Sequence, residues 1–75
     1  MNDRFTVRDF YNRIQGYIDT DGRTKVRTAR DFYNRILGTY DPKSNITRDF
    51  YGKIIGSGDL TSMLIYEEDK KLFPK

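Results

Sequence analysis

The chain contains no cysteine and no histidine. Those two absences together exclude disulfides, thiol nucleophiles, imidazole general bases and the usual zinc ligand sets. Tryptophan is also absent, and proline occurs only twice. No apolar run approaches the roughly 18 residues that a membrane-spanning helix needs. Nor does an apolar segment of the kind found in secretion signals follow Met1-Asn2-Asp3-Arg4. The expectation is a cytoplasmic protein with no membrane partner and no cofactor, and the lack of cysteine fits a reducing compartment. A chain of 75 residues makes one domain, residues 1–75. A domain of that size buries only about 60–65% of the surface it exposes when unfolded. Without disulfides or metals, its stability must come from regular local structure and self-association.

Against these absences stand six tyrosines and five phenylalanines, too many aromatics for a disordered segment. The net charge is +3. Residues 1–56 carry 11 Lys/Arg against 7 Asp, a surplus of 4, and residues 57–75 carry 3 Lys against 4 acids. A surplus this small is a weak signal for nucleic acid.

One phrase of nine residues is written three times: RDFYNRIQG from Arg8 to Gly16, RDFYNRILG from Arg30 to Gly38, and RDFYGKIIG from Arg48 to Gly56. A helical reading has some support. Thr6 and Thr28 precede an Asp by three positions, Phe10 and Ile14 are four apart, and Gly16, Gly38 and Gly56 would serve as C-terminal caps. Such a helix has only about two turns and is unstable in water. In the third copy the capping position holds Ile46.

A hairpin reading explains more. The fifth position is Asn12, Asn34 and then Gly52, the residue types that tolerate positive φ. Three positions earlier stand Asp9, Asp31 and Asp49. Asp opening a type I turn that ends in a left-handed residue is the common three-residue hairpin loop with a bulge. The same grammar lies between the phrases, in Asp19-Thr20-Asp21-Gly22 and in Asp41-Pro42-Lys43-Ser44-Asn45. Turn openers at 9, 19, 31, 41 and 49 recur at the 8–12-residue spacing of an all-β meander, sandwich or barrel.

The expected strands are roughly 4–8, 13–18, 23–30, 35–40, 45–48 and 53–57. The fold class is therefore mainly β: about six short strands in three repeated hairpins over residues 6–58, barrel-like or flower-like. The repeat unit is about 18 residues, and the first copy carries four more around Arg23 to Val26. Strict alternation places Ile14, Gly16 and Ile18 on one face, with Ile36, Gly38, Tyr40 and Ile54, Gly56, Gly58 as equivalents. A glycine recurring between larger residues makes room for a neighbouring side chain or for tight curvature, and points to a crowded axis or closed barrel. Gly38→Val should then cost more than a propensity effect of about 1 kcal/mol.

After Gly58 the pattern changes. Asp59 can cap a helix, Leu60, Met63 and Leu64 give an apolar face, and Glu67 to Lys71 is a favourable i,i+4 pair. One C-terminal α-helix is expected from Leu60 to about Lys71, with a tail to residue 73 and Pro74 beyond its end.

The repeat resembles that of bacterial beta-flower proteins, "RDxxGNxIGxIxxDG". The matching stretch runs from Arg8 to Asp19, with echoes in the next two copies. The resemblance covers residues 6 to 58 and implies radially arranged β-hairpins. It implies no catalytic residue and no activity. Phe-Tyr inside the turn and the presence of only three units depart from that pattern, and the tail from Leu60 has no counterpart in it.

For chemistry, Asp9, Asp31 and Asp49 are equivalent, whereas an acid–base pair needs different environments, so turn building is favoured over catalysis. An enzyme would need a cleft of non-equivalent residues, including Glu67 and Glu68. Asp19-Thr20-Asp21-Gly22 superficially matches a calcium loop, but the twelfth position is Arg30 where a glutamate is required. The sharpest ligand expectation is single-stranded nucleic acid. It would be held by Arg8, Arg30 and Arg48 and by Arg13, Arg35 and Lys53, beside Tyr11, Tyr33 and Tyr51. The structural alternative is that Arg13 pairs with Asp9 or protects an edge strand, and that Phe10 and Tyr11 pack across hairpins. Self-association is expected because three hairpins cannot bury so many rings. The function read from sequence is a non-enzymatic β-repeat scaffold or binding module that is homo-oligomeric, with single-stranded nucleic-acid binding as the alternative.

Overall fold

A computed structural model describes residues 2–72. The expected tail to residue 73 and Pro74 lie outside the described residues. Six strands and one helix follow in order: β1 (Asp3–Arg8), β2 (Ile14–Thr20), β3 (Arg27–Asp31), β4 (Ile36–Asp41), β5 (Ile46–Asp49), β6 (Ile54–Ser57) and α1 (Thr61–Leu72). The strands form one antiparallel meander in sequence order. The mainly β meander with one C-terminal helix is thus present. The barrel is not: β1 and β6 are the two edges of an open sheet.

The three repeated turns have one construction. In the first, Asp9 N–H donates to Arg13 O and Asn12 N–H donates to Asp9 O. The Asp9 carboxylate accepts from Tyr11 N–H and Arg13 N–H. Asn12, Asn34 and Gly52 hold the left-handed position, at φ 66°, 70° and 83°. These loops alternate with four-residue loops, Gly22–Lys25 and Pro42–Asn45. There Lys25 N–H donates to Asp21 O, Asn45 N–H donates to Asp41 O, and Lys25 and Asn45 are left-handed at φ 64° and 57°.

The second loop therefore opens at Asp21 and not at Asp19, which lies within β2, and Gly22 is the first loop residue. The misreading came from two Asp residues two apart in front of one glycine. It also misplaced the four extra residues. Gly16 pairs with Asp31 and Gly38 with Asp49. Between those pairs and their loops, the β2–β3 hairpin has two more residues on each arm than the β4–β5 hairpin. The insertion lengthens two strands by one pleat each, which preserves the alternation of faces.

A β-bulge sits in every copy. Val7 pairs with Gly16 but Arg8 with Ile14; Ala29 pairs with Gly38 but Arg30 with Ile36; Thr47 pairs with Gly56 but Arg48 with Ile54. The extra residue is Gln15, Leu37 and Ile55 in turn. Adjacent residues of β1 point to opposite faces, so Ile14 lies on the face opposite Gly16 and Ile18, and strict alternation fails there. Ile36 and Ile54 are shifted in the same way.

The face bearing Gly16, Ile18 and Ala29 is covered by α1. Val7, Ile18, Ala29 and Ile65 form the buried core, with Leu37 and Leu64 packed against it. The glycines are seats for this layer. A Cβ on Gly16 would lie 3.0 Å from Ile65, one on Gly38 2.7 Å from Leu64, and one on Gly56 3.0 Å from Leu60. The space they leave is filled by the helix and the residue before it. At Gly16 and Gly38 the neighbouring strand crowds the position as well, since the same Cβ would lie 2.3 Å from Arg30 O and from Arg48 O.

Thr47 fixes the entry to the helix. Its buried hydroxyl donates to Gly58 O at 2.7 Å and accepts from Leu60 N–H at 3.0 Å. Asp59 accepts from the Thr61 amide and hydroxyl and pairs with Arg27. Burial pushes the Asp59 carboxyl up, but the Thr61 bonds and Arg27 outweigh it and hold its pKa below the ordinary value.

Candidate functional site

The meander places the three phrase turns at the same end of the sheet, two strands apart, at intervals of about 9–10 Å. Each presents an edge-to-face pair: Phe10–Tyr11, Phe32–Tyr33 and Phe50–Tyr51, with ring centroids 5.5, 5.3 and 5.3 Å apart. Each ring is paired with its neighbour in the same turn, and the outer rings stand largely in solvent. Phe10 is 95% exposed and Tyr51 88%. The Arg13 guanidinium lies over Tyr11 and that of Arg35 over Tyr33, at 5.7 and 5.3 Å.

The two sets of expected cations separate. Arg13 and Arg35 belong to the turns, where they pair with Asp9 at 2.8 Å and Asp31 at 2.7 Å. Lys53 contributes its amide, which donates to the Asp49 carboxylate. Arg8, Arg30 and Arg48 lie on the face opposite the helix. Each donates to the carbonyl of the left-handed residue in its own turn, Asn12, Asn34 and Gly52, at 3.0 Å. Arg and Asp at the head of the phrase thus clamp one loop from two sides. Arg13 N–H and Tyr11 N–H hold the Asp9 carboxyl below its usual range, outweighing the opposing effect of desolvation.

The same open face carries a feature that the sequence reading missed. Asp19 accepts from Arg4 at 2.7 and 2.9 Å and from Arg30 at 2.9 Å, and Arg4 also reaches Asn34 and stacks on Tyr17. The Arg4 hydrogen bond, opposed by desolvation and reinforced by Arg30, lowers the Asp19 pKa. Its only sequence signal was an Asp displaced from the turn grammar.

On the helix side, a groove of about 790 Å³ runs between α1 and the last two hairpins. Leu37, Ile55 and Leu64 give it apolar walls, Phe50 closes the tip end, and Glu68 and Lys71 stand on the helix rim. The bulge residues Leu37 and Ile55 face this groove, whereas their equivalent Gln15 bonds to Asp69 of the helix at 3.2 Å. Repeats that are alike in sequence thus differ in environment because one helix covers β2, β3 and β4 more than β5 and β6. Among the described residues, no three His, Cys, Asp or Glu side chains come together as metal ligands. No helix among them is long and apolar enough to cross a membrane.

Comparison with protein families, curated proteins and solved structures finds no match. The functional reading therefore rests on the geometry.

Proposed function

We propose that the chain is a non-enzymatic, cytoplasmic β-repeat module, a scaffold or binding domain that associates with itself. The row of three exposed Phe–Tyr pairs at one end of the sheet carries this reading. Its core is small: among the described residues four apolar side chains are buried and twelve large ones are exposed. That much apolar surface marks an interaction site. The repeated carboxylates are occupied by the amides of their own turns, which supports construction over catalysis. Sedimentation equilibrium from low to high micromolar concentration tests the proposal. A mass that rises above the 8.9 kDa of one chain is expected, and a single 8.9 kDa species throughout would contradict it.

Single-stranded nucleic acid is the second reading. It is favoured by the placement of Arg4, Arg8, Arg30 and Arg48 on one sheet face with no second layer. Titration with a labelled oligonucleotide at low and moderate salt separates the two, because phosphate contacts release counterions and weaken steeply with salt.

A further inference from the structure

The internal repeat specifies how a second copy would join the sheet. Within the chain, the second strand of each hairpin pairs with the first strand of the next. Gly16 meets Asp31 and Tyr17 meets Arg30; Gly38 meets Asp49 and Thr39 meets Arg48. The third such pair is divided between the two ends of the chain. Gly56 lies on the free edge strand β6, and Asp9 directly follows the free edge strand β1.

The glycines mark what is missing. A Cβ on Gly16 would lie 2.3 Å from Arg30 O, and one on Gly38 2.3 Å from Arg48 O. In both places the backbone of the next strand demands glycine. Among the described residues no such carbonyl lies near Gly56, and within 4 Å of its Cβ place there is the flexible end of Leu60. The third copy keeps the glycine, but among the described residues no strand of its own chain lies on that side to require it.

Exposure varies in the same sense. Asp31, in the middle repeat, is 1% exposed, and Asp9, at the edge, 15%. Phe32 is 44% exposed between two neighbouring tips, against 95% for Phe10 and 62% for Phe50, which each have a neighbour on one side only.

Building on the self-association proposed above, we infer that β6 of one copy pairs antiparallel with β1 of another, in the register of the two joints inside the chain. Gly56 then faces Asp9 of the second copy, and Ser57 faces its Arg8. The contact is head to tail, and it leaves the opposite edges free to repeat or close it. The occupant fits because β1 begins the same phrase as β3 and β5. The new joint extends the sheet by the strand type that β6 lacks and sets the Phe10–Tyr11 tip beside Phe50–Tyr51.

The absence of cysteine makes the test clean. Ser57→Cys and Arg8→Cys chains are oxidised separately and as a mixture, at a concentration where sedimentation shows wild-type assembly. Thr39→Cys/Arg48→Cys in one chain reports whether an internal joint of this register forms a disulfide. A disulfide-linked dimer in the mixture, and in neither variant alone, is expected. Dimers of Ser57→Cys alone, or no cross-link in an assembled mixture, would overturn the head-to-tail register while leaving self-association standing. A wild-type chain that stays monomeric overturns both. Because Arg8 also ties its own turn, a second variant avoids that position. Gly56→Ala places a methyl where the Arg8 carbonyl of a second copy would lie. It should weaken association at least about tenfold and shift the dilute thermal midpoint by no more than a few degrees. Unchanged association would overturn the inference.

Discussion

The Cδ1 atom of Leu64 lies 2.7 Å from the place a Cβ would take on Gly38. Ile65 stands in the same relation to Gly16, and Leu60 to Gly56. Gly16 and Gly38 let a 12-residue helix lie close against the sheet, and Gly56 does the same for the residue that leads into it.

The glycines should differ in cost. Gly16→Ala and Gly38→Ala force a methyl against a strand carbonyl as well as the helix, and each is expected to destabilise by about 1–3 kcal/mol. In thermal unfolding of a domain this size, each kcal/mol lowers the midpoint by about 4–8 °C. Gly56→Ala, measured in dilute solution, meets only a movable leucine tip and should cost much less. Gly38→Val should exceed Gly38→Ala.

Asp31 is the buried member of the turn carboxylates, and it accepts from Arg35 N–H at 2.8 Å and Arg35 Nε at 2.7 Å. Asp31→Ala leaves those donors without their acceptor and is expected to cost about 2–3 kcal/mol. Asp9→Ala, in the same role at the exposed edge, should cost less in denaturant titration, because water replaces the lost acceptor.

Thr47→Val removes the hydroxyl that joins Gly58 O to Leu60 N–H. Two half-buried backbone groups lose partners, at a cost of about 1–3 kcal/mol. Helix signal in circular dichroism should be lost at lower temperature than in the wild type, and Thr47→Ser should restore most of the difference.

Stability should fall on the acid side. Asp19, Asp9, Asp21 and Asp59 all have pKa values lowered in the folded state. The unfolded chain therefore binds more protons as pH drops toward the ordinary Asp value of about 3.9. The stabilisation is fully present above about pH 5 and is lost as pH falls through the folded-state values. With no histidine, the unfolding midpoint should be flat from about pH 5 to 8. Asp19→Asn should lower the neutral plateau and make the acid limb shallower in denaturant titrations at stepped pH.

The hairpin grammar was legible because turns are local. Asn12, Asn34 and Gly52 share nothing but tolerance of positive φ, and that alone separated a turn from a helix start. The Arg13–Asp9 pair was legible for the same reason. The bulges at Gln15, Leu37 and Ile55 were not, because a bulge depends on the partner strand. Each moves an isoleucine to the other face without changing its neighbours in sequence. The role of Gly38 was half legible. Recurrence showed that something fills the space, but only the placement of α1 shows that it is Leu64. Asp19 was misassigned since its true partner, Arg4, is fifteen residues away.

Hydrogen exchange of the wild-type chain at low and high concentration tests the self-associating, edge-paired module most directly. The account predicts that the amides around Arg8–Asp9 and Gly56–Ser57, where the two edges meet in that register, gain protection together as concentration rises, while those of the interior strands β3 and β4 stay unchanged. Protection that is independent of concentration at both edges, or that grows at one edge alone, would contradict it.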